Sequence, residues 1–303
     1  MIVVCIVGFR NASDIALCLQ HLERSTFQAF EVVICENGGA QSFAELRRLL
    51  PARLSDGQAV TLIEAEGNLG YAGGVNRCMR TRPDAAGWWI LNPDTVPSPD
   101  ALAALVARLE KGDVAAVGGV LHDEHGRVQT LGGRWRRRVG RAEAIGHGLT
   151  LAHLPAASEV ERQLDFLSGA SCLIGPTMVR AVGLMREDYF LYAEEVEWFV
   201  RARRRDVRLG FSAGARVLHH QGATTGSAAS LTGRPRLPIY LDERNRMHVV
   251  RDTDPLSLAL ALTASPILSV LRFARRRAWR QWGWALQGWL AALRNERGVP
   301  PWL

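Results

Sequence analysis

Residues Trp88-Trp89-Ile90-Leu91-Asn92-Pro93-Asp94-Thr95 run from large apolar side chains straight into an Asn-Pro-Asp turn. A short apolar run bounded by turn formers reads as a buried strand. Pro93 ends its ladder, because proline has no backbone donor and restricts the residue before it. Asp94 is then an acid at the carboxyl end of a core strand, the edge at which open α/β sheets bind ligands. Taken alone, these residues favour a plainer reading, a β-turn in which Asn and Asp satisfy backbone groups. A second acidic group, Glu194-Glu195-Val196-Glu197, opens a helical pattern over 192–205. Adjacent carboxylates raise one another's pKa toward the range useful to a general base. The alternative is a solvated helix start, stabilised by the dipole and paired with Arg201 or Arg203. A glycine-rich stretch, GNLGYAGGVN (67–76), lets backbone approach a ligand ahead of a helix N-terminus, and a tight β–α turn explains it as well. The first strand–helix turn, GFRNAS, lacks the GxGxxG of a dinucleotide site, which argues against an NAD fold.

The elements that must position these residues alternate. IVVCIVG, EVVICE, VTLIEA, WWILN and VAAVGGV read as strands, separated by helical patterns over 12–24, 42–50, 70–82 and 98–111. That order predicts an α/β fold with a parallel or mostly parallel sheet and helices on both faces. Residues 121–135 read as a hairpin, 136–162 as a mobile loop, 166–175 as a small-residue strand, 207–220 as a strand pair and 221–236 as a flexible loop.

The 303 residues suffice for one large α/β domain with an appendage. Of 37 basic and 30 acidic residues, 12 Arg and 5 acids lie in 234–303, leaving 25 of each sign before it. The formal charge of +7 therefore belongs to the tail. The five cysteines (5, 18, 35, 78, 172) sit in apolar segments without a CxxC, as buried thiols of a reducing compartment do. The N-terminus reads as a first core strand rather than a signal peptide, so a cytoplasmic location is expected.

In the tail, residues 255–271 carry no charge but number only seventeen and include Pro266, against the about twenty apolar residues a membrane span needs. The next helix sets Trp279, Trp282, Leu286, Trp289, Leu290 and Leu293 at helical spacing beside an Arg cluster. That pattern suits an anionic membrane surface, and a helix packed on the protein's own core is the alternative. No nucleic-acid-binding module is present, and nucleic acid is not an expected partner.

Taken in order, VGFRN, VVICENGG, GNLGYAGGVN, WWILNPDT, FLSGASCLIG, YFLYAEEVEWFVRAR, RVLHHQGATTG and ERNRMHVV resemble the family 2 inverting glycosyltransferases of GT-A fold. The resemblance is to the bacterial branch with rhamnosyl- and galactofuranosyltransferases, covers roughly residues 1–250, and makes L-rhamnose a candidate sugar. It implies a GT-A catalytic domain over 1–236, with a donor-binding half to about 120 and an acceptor-binding half beyond. A helical, basic, Trp-rich, membrane-associating segment over 237–303 completes the expected organisation. The implied substrates are a nucleotide-diphosphate sugar donor and a glycan or polyprenyl-linked acceptor, met on the inner face of the cell membrane.

A leaving nucleoside diphosphate needs its developing charge neutralised, which a divalent cation does. By resemblance Asp94 and His219 hold Mn²⁺ or Mg²⁺, with His220 the adjacent alternative to His219. Asn92 stands where the wider family has the first acid of DxD, and so contacts ribose or phosphate instead. Glu195 maps to the catalytic base and Glu194 to the residue organising the acceptor. Gly8, Phe9 and Asn11 shape the first donor loop, Glu36 and Asn37 take the place of the base-contacting Asp-Asn, and Asn68, Gly70 and Asn76 lie near ribose and phosphate. Arg244 is expected to reach the diphosphate or to form a salt bridge. A turnover-deficient assembly protein of this fold and a nucleotidyltransferase are the alternative functions.

Overall fold

The computed structural model describes residues 1–220 and 230–303; residues 221–229, within the expected loop 221–236, lie outside the described residues. The first half alternates as its periodicity demands. It runs β1 (Ile2–Gly8), α1 (Ala12–Leu22), β2 (Phe30–Glu36), α2 (Ala40–Leu49), β3 (Val60–Glu64), α3 (Gly70–Thr81), β4 (Gly87–Leu91), β5 (Thr95–Pro97), α4 (Ala101–Leu109) and β6 (Ala116–His122). The strands are apolar on both faces because both are covered. Trp88 and Ile90 of β4 face one core cluster, which holds Val75 and Met79 of α3, and Trp89 and Leu91 face the other, which holds Ile15 of α1 and Leu105 of α4.

The second half continues with β7 (Val128–Thr130), β8 (Gly133–Arg136), β9 (Arg141–Ala144), α5 (Ala157–Glu161), β10 (Ser171–Ile174), α6 (Pro176–Val182), α7 (Glu194–Arg203) and β11 (Leu209–His219). The stretch expected to be a loop over 136–162 thus contains β9 and α5. Strand β9 pairs with β8, where Trp135 is buried and Arg136 bonds Glu143 at 2.8 Å. Strands of four residues are too short to leave a readable period. The expected strand pair over 207–220 is one strand, β11, whose register shifts between Phe211 and Arg216. Its small residues Ser212-Ala213-Gly214 mark a bulge, which reads in sequence as a turn.

The main sheet has the order β3-β2-β1-β4-β10-β6-β11-β5, with β7 on β6. It is mostly parallel, except that β10 runs antiparallel between β4 and β6, β5 antiparallel to β11 and β7 antiparallel to β6. This order forces a curl. From β4 to β5 there are four strand spacings, about 19 Å on a flat sheet, yet the four residues from Leu91 to Thr95 reach at most about 14 Å. The sheet therefore bends around the Asn92–Asp94 turn, and that turn sits at its carboxyl edge.

Three helices follow: α8 (Arg236–Thr253), α9 (Leu258–Ala274) and α10 (Trp279–Leu293). Helix α9 runs unbroken through Pro266. Proline cannot donate to the carbonyl four residues back, and that carbonyl, of Leu262, accepts the indole N–H of Trp289 at 3.0 Å instead. Pro255–Ala274, 20 residues with an 18-residue window of mean hydropathy 1.7, is long and apolar enough to cross a membrane by length and composition. Of the tryptophans expected to face a membrane, Trp282, Trp284 and Trp289 pack against the protein, and Trp279 remains 57% exposed. A β-carbon at Gly288 of α10 would lie 2.2 Å from the Tyr240 carbonyl of α8, so the two helices touch backbone to backbone there. Gly288→Ala is expected to lower stability by about 1–3 kcal/mol. Gly283→Ala, in the same helix with no atom within 4 Å, is expected to raise it by up to about 1 kcal/mol. Urea-unfolding midpoints measure both, and equal shifts would show that α10 does not dock on α8.

Candidate functional site

Register carries the first part of the site. Thr95 pairs with His219 across β5 and β11, and the His220 N–H donates to the Asp94 carbonyl at 3.0 Å. Two residues 125 positions apart are thereby fixed side by side, with Asp94 Oδ1 3.4 Å from His219 Nε2. Gln129 of β7 sets the imidazole tautomer. Its Nε2 donates to the His219 carbonyl at 2.7 Å, so its Oε1, 2.9 Å from Nδ1, accepts the Nδ1 proton. Nε2 of the neutral ring then presents a lone pair to a carboxylate oxygen. Two acceptors at this distance need a proton or a cation between them. Burial, the largest single effect, pushes the Asp94 carboxyl up; with a proton between the two groups, the hydrogen bond and charge of His219, joined by the Asp94 backbone N–H and His220, turn the net displacement downward. One carboxylate and one imidazole, the latter oriented by an amide behind it, form a donor set that suits a divalent cation. No cluster of three or more His, Cys, Asp or Glu forms among the described residues, so ligand oxygens and water would complete its coordination.

The second part is the pair Glu194-Glu195 at the start of α7. The loop entering it holds Phe190, Tyr192 and Ala193 at φ of 68°, 71° and 67°. Left-handed backbone at non-glycine residues costs on the order of 1–3 kcal/mol each and persists only where its surroundings impose it. Here they do. Asn245 of α8, fully buried, sets its Nδ2 2.8–2.9 Å from the carbonyls of Tyr189, Leu191 and Tyr192. From α3, Tyr71 N–H donates to the Phe190 carbonyl at 2.8 Å. Gly70 precedes it at φ 71°, and a β-carbon there would lie 2.0 Å from that same oxygen.

Glu194 is 2% exposed with Oε2 unpartnered, while Glu195 is partly exposed. Arg201 is taken by Glu197 at 2.7 and 3.1 Å, and no ion pair reaches Glu194 or Glu195 among the described residues. The alternative reading, pairing of this acidic helix start with Arg201 or Arg203, thus holds for Glu197 and not for Glu194 or Glu195. Burial first, then the neighbouring Glu195 charge, pushes the Glu194 carboxyl well above the usual range. Burial also raises Glu195, against bonds from its own and the Val196 backbone N–H, with Asp242 adding to the rise. The two parts of the site belong together: Tyr71 bonds the Phe190 carbonyl through its N–H and the Gly169 carbonyl through its phenol, at 2.5 Å, and the next carbonyl, of Ala170, accepts the Asn92 N–H at 2.9 Å.

On the donor side the expected residues divide. Glu36 Oε1 accepts the N–H groups of Arg10 and Gly38 at 3.2 and 2.6 Å, leaving Oε2 buried and unpartnered, and Asn92 Oδ1 is likewise unpartnered. Asn11 accepts the Phe9 N–H at 2.9 Å and Asn68 the Gly70 N–H at 3.0 Å, so both shape loops. Beside them, Gly8 leaves room for Glu36, whose Oε2 would lie 2.3 Å from a β-carbon there. Asn37 donates to the Gly70 carbonyl, and Asn76, fully buried, bonds Met185 and Glu187. These two amides tie elements together rather than face a ligand. Arg244 is a correction too. At 1% exposure it donates to the carbonyls of Tyr189 and Gly298, at 3.2 and 2.8 Å, and forms no salt bridge among the described residues. Gln129 and Asn245 were not singled out from the sequence. Asn245 had a signal, an amide inside the otherwise buried helix ERNRMHVV, and Gln129 had none.

A family model described as glycosyltransferase-like family 2 matches residues 2–236. The chain belongs to that family. This glycosyltransferase is 24% identical over 250 residues to the low-salt glycan biosynthesis hexosyltransferase Agl10 of Haloferax volcanii, spanning 80% of this chain and 73% of that protein. It is 27% identical over 232 residues to the N-acetylglucosaminyl-diphospho-decaprenol L-rhamnosyltransferase of Mycobacterium tuberculosis, over 68% of this chain and 74% of that one. In fold it is similar to the mannosyltransferase PcManGT of Pyrobaculum calidifontis, solved with GDP-Man and Mn²⁺. The TM-score is 0.58 at 15% identity, over 97% of this chain and 87% of that one. TarS of S. aureus with UDP-GlcNAc gives 0.59 at 12% identity, over 96% and 81%. These likenesses establish the GT-A architecture.

The unpaired buried carboxyl has a stability consequence. A carboxyl whose folded pKa is raised binds its proton more tightly when folded, so stability falls as pH climbs from the ordinary glutamate value through the raised one. Glu194→Gln is expected to be more stable than the parent at pH 7–8, with the gain vanishing below about pH 4. Thermal melts across pH test this; a pH-independent difference would mean that folding does not raise the Glu194 carboxyl, and a loss of stability in the variant that grows with pH would mean that Glu194 has an ionic partner.

Proposed function

We propose that this glycosyltransferase moves a sugar from a nucleoside diphosphate donor to a hydroxyl of a polyprenyl-linked acceptor, with inversion at the anomeric carbon. The observation that carries this is the pair of facing acceptors, Asp94 Oδ1 and His219 Nε2, at the sheet's carboxyl edge beside carboxylates without ion-pair partners. Support for the donor comes from fold neighbours solved with GDP-Man and Mn²⁺ or with UDP-GlcNAc. Support for the acceptor comes from the relative named for N-acetylglucosaminyl-diphospho-decaprenol, and that relative also makes L-rhamnose the first sugar to test.

Each residue then has a task. Glu36 Oε2, unpartnered behind the first loop, accepts an N–H of the nucleobase, and Asn92 Oδ1 accepts a donor hydroxyl. Asp94 and His219 would hold a divalent cation, which when bound neutralises charge arising on the departing diphosphate. Glu195, the more accessible of its pair and raised by burial, removes the proton of the acceptor hydroxyl as its oxygen attacks the anomeric carbon. The bond to the diphosphate breaks on the opposite side, its electron pair leaving with the diphosphate. Glu194, more deeply buried and better able to keep its proton, leaves the ionised role to Glu195. The exposed apolar side of α9 and the arginines after it would rest the enzyme on the inner leaflet, where such acceptors are presented.

Glu195→Gln keeps shape but accepts no proton, so transfer is expected to fall about 10²–10⁴-fold with donor affinity retained. The parent's kcat/KM should rise with pH through a value above the ordinary glutamate range. Asp94→Asn should abolish turnover and remove dependence of donor binding on Mn²⁺. Steady-state assays over a panel of sugar nucleotides measure all three, and undiminished transfer in Glu195→Gln would remove it as the base. A protein inert with every donor would be an assembly protein instead.

A further inference from the structure

A cavity of about 360 Å³ opens between β9, α8 and α9, lined by Arg141, Arg234, Arg246 and Arg272 against only two acids, Asp242 and Glu243. Four guanidiniums and two carboxylates leave it with a net charge of +2. Only Arg246 is matched, by Glu243 and Asp242. Among the described residues, no carboxylate lies within ion-pair distance of Arg141, Arg234 or Arg272, and Nε and Nη2 of Arg141 and Nε of Arg234 are buried without hydrogen-bond partners. Burial first, then repulsion from Arg246 and Arg272 set against attraction from Glu243 and Asp242, leaves the charged form of Arg141 disfavoured. Buried unpaired guanidinium donors are unfavourable unless an anion completes them.

The cavity lies between the candidate base and an apolar surface. Tyr192, three residues before Glu195, lines one side, and the charge of Asp242 is felt at Glu195. Arg272 and Phe273 line the other side and belong to α9. On the outer face of that helix, and just before it, Leu256, Leu260, Ile267 and Leu271 are 97%, 52%, 63% and 51% exposed. Their spacing of four, seven and four residues places them in one stripe. We infer that this cavity is the subsite for the phosphate or diphosphate of a lipid-linked acceptor. Its hydrocarbon lies toward the α9 stripe, and its sugar hydroxyl toward Glu195. The inference rests on the acceptor reading above and adds the residues that recognise it. Planar guanidiniums suit phosphate oxygens, and several of them match a diphosphate diester of charge −2.

The test titrates the full chain with geranylgeranyl diphosphate in neutral detergent, with geranylgeraniol, and with inorganic pyrophosphate. Variants Arg141→Gln and Arg272→Gln are compared, since removing either strands no paired acid. UDP binding with Mn²⁺, measured in parallel, reports on the fold and on the donor site. The expected result is saturable binding of geranylgeranyl diphosphate, weakened about tenfold or more by either variant, with UDP binding unchanged, pyrophosphate weaker and geranylgeraniol weaker still. Parent-like affinity in both variants would overturn the subsite, as would displacement of geranylgeranyl diphosphate by UDP. If phosphatidylglycerol vesicles bind with the same arginine dependence while geranylgeranyl diphosphate does not saturate, the cavity reads membrane headgroups, and the acceptor assignment is wrong. Failure of UDP to bind the parent would instead count against the donor reading, leaving the cavity result to be judged on its own titration.

Discussion

The site depends on a three-residue turn, Asn92-Pro93-Asp94, that joins two strands the sheet keeps far apart. Because β4 and β5 are separated by β10, β6 and β11, so short a link closes only if the sheet curls. The curl sets β5 beside the end of β11, and the β5–β11 register then presses Asp94 and His219 together. Gln129 behind the imidazole leaves an electron pair facing a carboxylate. A contact that is unfavourable when empty of charge becomes favourable when a cation enters. Pro93 serves this geometry by ending the β4 ladder where the chain must leave the sheet.

The segment leading to Glu194-Glu195 follows the opposite logic, with strain imposed from outside. Three left-handed residues in the segment 190–193 are held by donors from two different helices, Asn245 in α8 and Tyr71 in α3. The result is a pair of carboxylates without ion-pair partners among the described residues, while Arg201 of the same helix is bound to Glu197. With Arg201 held by Glu197, no ion pair reaches Glu195 among the described residues. Helix α8 thus links the strained loop and the C-terminal helices, since it supplies Asn245 to that loop and packs along α10 through Gly288.

Much of this was legible in the sequence. The strands of the first half announced themselves because they are apolar on both faces, and Asp94, His219 and the Glu194-Glu195 pair sat in motifs whose order pointed to the family. What escaped has physical reasons. Strand β9 and helix α5 are too short to carry a period, and the bulge in β11 mimics a turn through its small residues. The family resemblance puts Asn37 and Asn76 at the donor and Arg244 at the diphosphate or in a salt bridge, whereas their partners are groups distant in sequence, mostly backbone carbonyls, invisible to local reading. The tryptophans of α10 look membrane-facing in isolation; Trp289 instead answers the carbonyl that Pro266 leaves open, a pairing set by tertiary packing.

The central claim is that Asp94 and His219 form one cation site for the donor diphosphate. Its most direct test is an anomalous difference map from crystals grown with Mn²⁺ and UDP. The account predicts one manganese peak about 2.0–2.3 Å from an Asp94 carboxylate oxygen and from His219 Nε2, with diphosphate oxygens completing the shell. A manganese bound elsewhere, with Asp94 and His219 still hydrogen-bonded to each other, would contradict it.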